Sequence, residues 1–228
     1  MSPPEYDLSP LDAAEIYELM AALISHTDLF GPDDPQTLSA ANRLAIAFWR
    51  SGEIDQAIGL LDQAMDRALD RPSSRGLEHP IQIDLLSTMV KIMFEQHYFE
   101  QAGAIQREVL ELHVRHSGAD HPRSIEAKVD LAAILFELGQ DKEAARHEEE
   151  AFESARKNLG KTHPVTGVLA WNRVVSYERR GDLESARNVI VNELAWLLTE
   201  DPACLEPELS AIRALLSKRL NWNAAAAC

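Results

Sequence analysis

Cysteine is almost absent from this chain of 228 residues. Its 2 cysteines, Cys204 and Cys228, stand in no C-x-x-C or other metal-type spacing, which argues against a disulfide framework or structural zinc and suits a reducing compartment. Glycine and proline are sparse, at 10 and 11 residues, and fall at regular places rather than in clusters, which argues against a many-turned all-β chain. No apolar run approaches the roughly 18 residues of a membrane helix, and the opening MSPPEYDLSP has neither a basic n-region nor an apolar h-region. A cytoplasmic protein with no membrane partner is expected. Positive charge is scarce: 22 Lys and Arg against 37 Asp and Glu leave a net charge of −15 and a pI near 4.9. That balance argues against a nucleic-acid partner.

Catalytic signatures are missing too. There is no G-x-S-x-G, no G-x-x-x-x-G-K-[ST] and no G-x-G-x-x-G, and Cys204 lies in no nucleophile motif. His147-Glu148-Glu149-Glu150-Ala151 begins like the zinc-protease H-E-x-x-H, but Ala151 stands where the second imidazole must be. Neither an enzyme nor a cofactor is expected.

What is present is a folding chain with a period. Hydrophobic residues make up 46% and charged residues 26%, which is ordinary for a globular protein. Asp34-Pro35, His79-Pro80, His121-Pro122 and His163-Pro164 place their prolines 45, 42 and 42 residues apart. Seventeen positions after each proline stand Gly52, His97, Gly139 and Gly181, and twenty-two after it stand Ala57, Ala102, Ala144 and Ala186. Core positions recur as well: Leu44, Met89, Leu131 and Arg173 at nine residues after the proline, and Phe48, Met93, Leu135 and Tyr177 at thirteen.

Each unit reads as two helices. Helix A begins at the proline, whose missing N–H is no loss at a first helical position, with the preceding Asp or His as cap. It ends where Gly, or His97 in the second unit, lets the chain leave through a left-handed residue. Helix B then carries the register alanine, small enough for two helices to approach closely; in the third unit it is predicted from about Asp141 to Lys157.

The pattern L-A-x-x-y-x-x-x-G-x-x-x-x-A, with a preceding G-x-x-H-P, resembles the tetratricopeptide repeat in its 42-residue kinesin-light-chain-like variety, over roughly Phe30 to Leu198. The resemblance implies an all-α, right-handed α-solenoid. It further implies a single repeat domain over 1–228: an N-terminal helix over 9–29, repeats over 30–75, 76–117, 118–159 and 160–201, and a capping helix over 205–222. Ten helices follow. Leu11, Ile16, Met20, Leu23 and Ile24 are available for burial on the first, and Leu209, Ile212, Leu216 and Leu220 on the last. Two departures stand out. Arg173 occupies a core leucine position, and ALDRPSSRGLEHP lengthens the first connection as a surface loop.

The His-Pro histidines are expected to cap helices rather than share a metal, because equivalent residues of successive repeats lie about 10 Å apart while a metal needs ligands at about 2 Å. Asp62, Asp66 and Asp70 form an acidic stripe expected to be a solvated face.

The family resemblance implies that helix A lines the concave side. There, fourteen residues after the prolines, stand Trp49, Phe94, Phe136 and Glu178, with Asn42, Ser87, Val129 and Trp171 at seven. Lys91, Glu95, Glu126 and Glu137 lie among them. The expected function is therefore a non-enzymatic scaffold. Its partner is a protein or peptide with apolar anchors and basic flanks, since rings carry most interface energy and opposite charge steers approach. Rival expectations are a homo-oligomer built through the end helices, with Tyr17 and Leu19 as candidates, and a small-molecule sensor or hydrolase with a site between helices.

Overall fold

The computed structural model describes residues 13–69 and 80–225. Among them are ten α-helices and no strand: α1 (Ala13–Phe30), α2 (Pro35–Arg50), α3 (Ile54–Leu69), α4 (Pro80–Glu95), α5 (Phe99–Ser117), α6 (Pro122–Glu137), α7 (Asp141–Leu159), α8 (Pro164–Arg179), α9 (Leu183–Val189) and α10 (Pro207–Ala225). The fold is an all-α array of tetratricopeptide-like helix pairs, of the α-solenoid class. The chain divides into two compact units, Met1–His116 and Ser117–Cys228. Each has its own apolar core.

Caps and turns follow the residues that the sequence singles out. The Asp34 carboxylate accepts the Gln36 N–H at 2.9 Å, and His121 and His163 accept through Nδ1 from the Arg123 and Val165 N–H groups at 3.3 and 3.2 Å. His79 and the first connecting loop lie outside the described residues. Helix A ends in a Schellman motif in all four pairs: Glu53, Tyr98, Gln140 and Asp182 donate their N–H to Phe48, Met93, Leu135 and Tyr177 at 2.8 to 2.9 Å. The left-handed residue is glycine in three of them, and in the second it is His97, at φ 62°. The turn thus survives without glycine.

The register alanines close the pairs. Ala57, Ala102 and Ala144 are 0% exposed and Ala186 is 3%, so a larger side chain there would force two helices apart. Leu44, Met89 and Leu131 are buried as well, each contributing about 1.5–3 kcal/mol of burial.

The fourth pair departs from the expected continuous helix B. After α9 the chain makes a π-helical turn over Ile190–Leu194 and a 3₁₀ turn over Ala195–Leu198. The cause lies in spacing. Val189 and Leu194 are both buried yet five residues apart, a step that an α-helix turns through about 140° off the starting face. A π turn, bonding i to i+5, brings both to the core.

α10 packs on α8, with Leu209, Ile212 and Leu216 buried; the Leu220 side chain lies outside the described residues. The contact depends on Gly167. Three residues after its proline, this glycine stands where the other repeats carry Leu38, Ile83 and Ile125, and a Cβ there would come within 2.7 Å of the Leu209 Cδ2 atom. The closing helix fills the notch that the missing side chain leaves.

α1 corrects one expectation. Leu23 packs on the first core, but Met20 and Ile24 are 40% and 60% exposed. Leu23 is one residue from Ile24 on the helix, so the face that meets α2 turns Ile24 aside. Leu11 lies outside the described residues.

Candidate functional site

Helix A aligns the expected site residues by its period: positions seven apart lie two turns apart on one face. In the first unit α2 and α4 supply Asn42, Trp49, Lys91, Phe94 and Glu95. Trp49 is not the exposed anchor that its register suggests. It is 7% exposed, within the core that includes Leu38, Leu85 and Ile92, and its indole Nε1–H donates to Glu95 at 2.7 Å. α4 lies against α2, so Glu95 meets the indole from the next helix, which no single-helix pattern reveals. Phe94 is half-buried and sets its edge against Phe99 of α5, with ring centroids 5.4 Å apart. Lys91 and Glu95 are exposed, and Asn42 is half-buried with its Oδ1 enclosed and lacking a hydrogen-bond partner.

The second unit presents a more open face. Phe136 on α6 is half-buried, and the Arg179 guanidinium of α8 stands over its ring at 5.8 Å. Trp171 is half-buried and packs against the second core from α8. Around these rings Glu126 and Glu137 are exposed and Glu178 is half-buried. Of the four aromatic positions, Phe94 and Phe136 are therefore the two standing off the cores, Trp171 is intermediate, and Trp49 is internal.

The other candidate groups are structural. His147 is buried, and burial above all holds its imidazole below the ordinary histidine value, followed by the nearby Arg146 charge. Asp62 and Asp66 are exposed, and Asp70 lies outside the described residues. No group of three or more His, Cys, Asp or Glu side chains among the described residues is arranged to hold a metal ion. No described helix is long and apolar enough to cross a membrane.

A tetratricopeptide repeat family model matches residues 82–157, and a second tetratricopeptide repeat model matches residues 37–69. These spans contain the Schellman turns and register alanines of the first three pairs. This is a tetratricopeptide repeat protein. Its fold is also that of a solved kinesin light chain-like protein of Podosopora anserina with nearly identical TPR-like repeats, at 18% identity and a TM-score of 0.69, covering 82% of this chain and 86% of that one. BtubC (BKLC) from P. vanneervenii aligns over 94% of this chain and 93% of its own, at 16% identity and a TM-score of 0.71. A search of curated proteins finds no sequence match. A tetratricopeptide repeat protein is a protein-interaction scaffold in general terms.

Proposed function

We propose that this protein is a non-enzymatic adaptor that binds a peptide or helix of a protein partner on its helix A faces, by apolar anchors with Lys or Arg beside them. The observation that carries the reading is Phe136: a half-buried ring outside the core, already covered by a guanidinium from Arg179, and bordered by the exposed Glu137 of the same helix. A partner's apolar side chain can lie on that ring while its cation meets the carboxylates, and cation–π contact adds to the attraction. In the first unit, Phe94 with Glu95 and Lys91 offers a smaller version of the same chemistry.

The test is a panel of peptides with Leu or Phe anchors, flanked by Lys and Arg in one series and by Asp and Glu in the other, followed by fluorescence anisotropy. Basic flanks are expected to bind, with affinity falling as salt rises, and Phe136→Ala should weaken binding by about 2 kcal/mol, the usual hot-spot size. Equal binding of the acidic series, or unchanged binding by Phe136→Ala, overturns the reading. A second reading, self-association through α1, draws on the exposed Tyr17, Met20 and Ile24, at 71%, 40% and 60%, while Leu19 is half-buried. Light scattering that finds only monomer across working concentrations removes it.

A further inference from the structure

Arg173 breaks the repeat at a position that is Leu44, Met89 and Leu131 elsewhere, and the surrounding residues show what it does there. Its side chain is only 13% exposed. The guanidinium lies over the Phe152 ring at 4.5 Å and the Tyr177 ring at 5.8 Å, and it donates to Glu149 at 2.5 Å and to the Tyr177 hydroxyl at 3.5 Å. Arg180 also stands over Tyr177, at 4.9 Å, with its Nε–H on the Ser176 carbonyl at 3.2 Å. Arg173, Glu149, Tyr177 and Arg180 line an open pocket of about 280 Å³ between α7 and α8, shared with Lys142, Ala145, Arg146 and Glu148.

The charge of this cavity opposes that of the chain. Four cations, Lys142, Arg146, Arg173 and Arg180, face two carboxylates, Glu148 and Glu149, inside a protein of net charge −15. Arg146 is engaged by Glu150 at 2.7 Å, and Arg173 by Glu149. Among the described residues Lys142 and Arg180 make no salt bridge within 4.0 Å, although the Arg180 charge acts on Glu148. Glu149 is 47% exposed, so it can swing into water and release the Arg173 fork to a stronger acceptor. Burial raises the Glu148 carboxyl, against the lowering influence of Ser176 and of the arginines around it, Arg180 first among them.

We propose that the cavity between α7 and α8 binds a phosphate monoester, with Arg173 and Arg180 as its ligands and Glu149 as the internal carboxylate that the phosphate displaces. A monoester carries about −1.5 to −2 near neutral pH and three acceptor oxygens, enough to engage the Arg173 and Arg180 guanidinium groups together. Guanidinium forks bond such oxygens in pairs. The cavity lies at the small end of ligand pockets, large enough for a phosphoryl head and a short stem. Arg173 and Tyr177 lie on a different face of α8 from Trp171 and Glu178, and the proposal stands whether or not the helix A faces bind peptides.

The full chain is titrated by calorimetry at low ionic strength with inorganic phosphate, glycerol phosphate, doubly capped O-phosphoserine, its unphosphorylated counterpart, and acetate. All three phosphates are expected to bind saturably, and acetate at least about tenfold more weakly, since a monoanion uses half the charge. Arg173→Leu restores the residue of the first and third repeats, so it should fold. It and Arg180→Gln should each weaken phosphate binding by about tenfold or more, and Glu149→Gln should tighten it severalfold. Capped phosphoserine tighter than glycerol phosphate supports the site with a modified protein chain as the source, and the reverse order supports it with a small molecule as the source. No saturable binding of millimolar phosphate, equal binding of acetate, or full binding by a melting-competent Arg173→Leu or Arg180→Gln overturns the proposal.

Discussion

The third and fourth helix pairs sit in the same unit and carry the same proline, cap and turn, yet they are built differently. In the third, Ile125 and Leu131 are buried core residues and helix B runs unbroken from Asp141 to Leu159. In the fourth, the same two positions are Gly167 and Arg173, and helix B gives way after seven residues to a π turn. The repeat backbone tolerates both because each missing contact is supplied by a neighbour. Leu209 of α10 occupies the space over Gly167, and Phe152, Tyr177 and Glu149 surround the Arg173 guanidinium. A repeat position therefore specifies a location rather than a residue type, and its occupant depends on what packs there.

Exchanging the occupants is the strongest way to break this comparison. Leu131→Arg places a guanidinium at a site 1% exposed. At the position equivalent to Glu149, 42 residues earlier, the chain carries Arg107 rather than a carboxylate, so the cost should reach about 3–5 kcal/mol, as for a buried charge without its counter-ion, and chemical denaturation would register it. A mild effect would mean that the third pair has the adaptability of the fourth. Gly167→Leu should cost less, about 1–3 kcal/mol, because the side chain enters space that Leu209 holds. Combining it with Leu209→Ala should recover part of that loss. Additive costs in the double variant would show that the notch and the closing helix are not coupled.

The smallest effect sharpens the comparison through pH. Glu148, facing the Arg173 cavity, has its carboxyl raised chiefly by burial, against the lowering influence of Ser176 and the nearby arginines. A carboxyl whose folded value lies above its unfolded value favours the folded state most below the unfolded value, and that advantage is lost as pH rises through the folded one. Glu148→Gln should therefore be more stable than the parent at neutral and alkaline pH, with the difference fading as pH falls below the ordinary glutamate range near 4.3. Melting curves at several pH values check it, and a difference that grows on acidification contradicts the assigned cause.

Much of this architecture was legible in the sequence because it is local and repeated. Proline starts, Asp and His caps, left-handed exits and the register alanines are set by backbone geometry within one pair, so four aligned copies reveal them. His97 shows the strength of that signal, since its turn forms despite the Cβ. What escaped was set by packing between elements. Trp49 shares the aromatic column with Phe94 and Phe136, but its burial depends on α4 bringing Glu95 to the indole. The π turn was hidden too: RNVIVNELAWLL reads as ordinary helix, and its distortion becomes visible only when Val189 and Leu194 are both seen to reach the core. Gly167 signals nothing until Leu209 is placed above it. Arg173 did announce itself as a departure, although its rings and its carboxylate come from residues that no repeat alignment pairs with it.

The buried indole of Trp49 also makes the first unit separately observable. The chain has 4 tryptophans, and Trp49 is the one that precedes residue 117; Trp171, Trp196 and Trp222 all follow it. Enclosed in an apolar core and hydrogen-bonded to a carboxylate, its emission should change when α2 and α4 separate, whereas the other indoles report on later segments. Repeat arrays unfold as strings of neighbour-coupled units rather than as one indivisible body when the coupling is weak. A variant that keeps Trp49 as its single fluorophore would follow the opening of the first unit alone, and its counterpart lacking Trp49 would follow the rest. The interval between their two transitions, in denaturant or in time, is a direct reading of how cooperatively the chain folds.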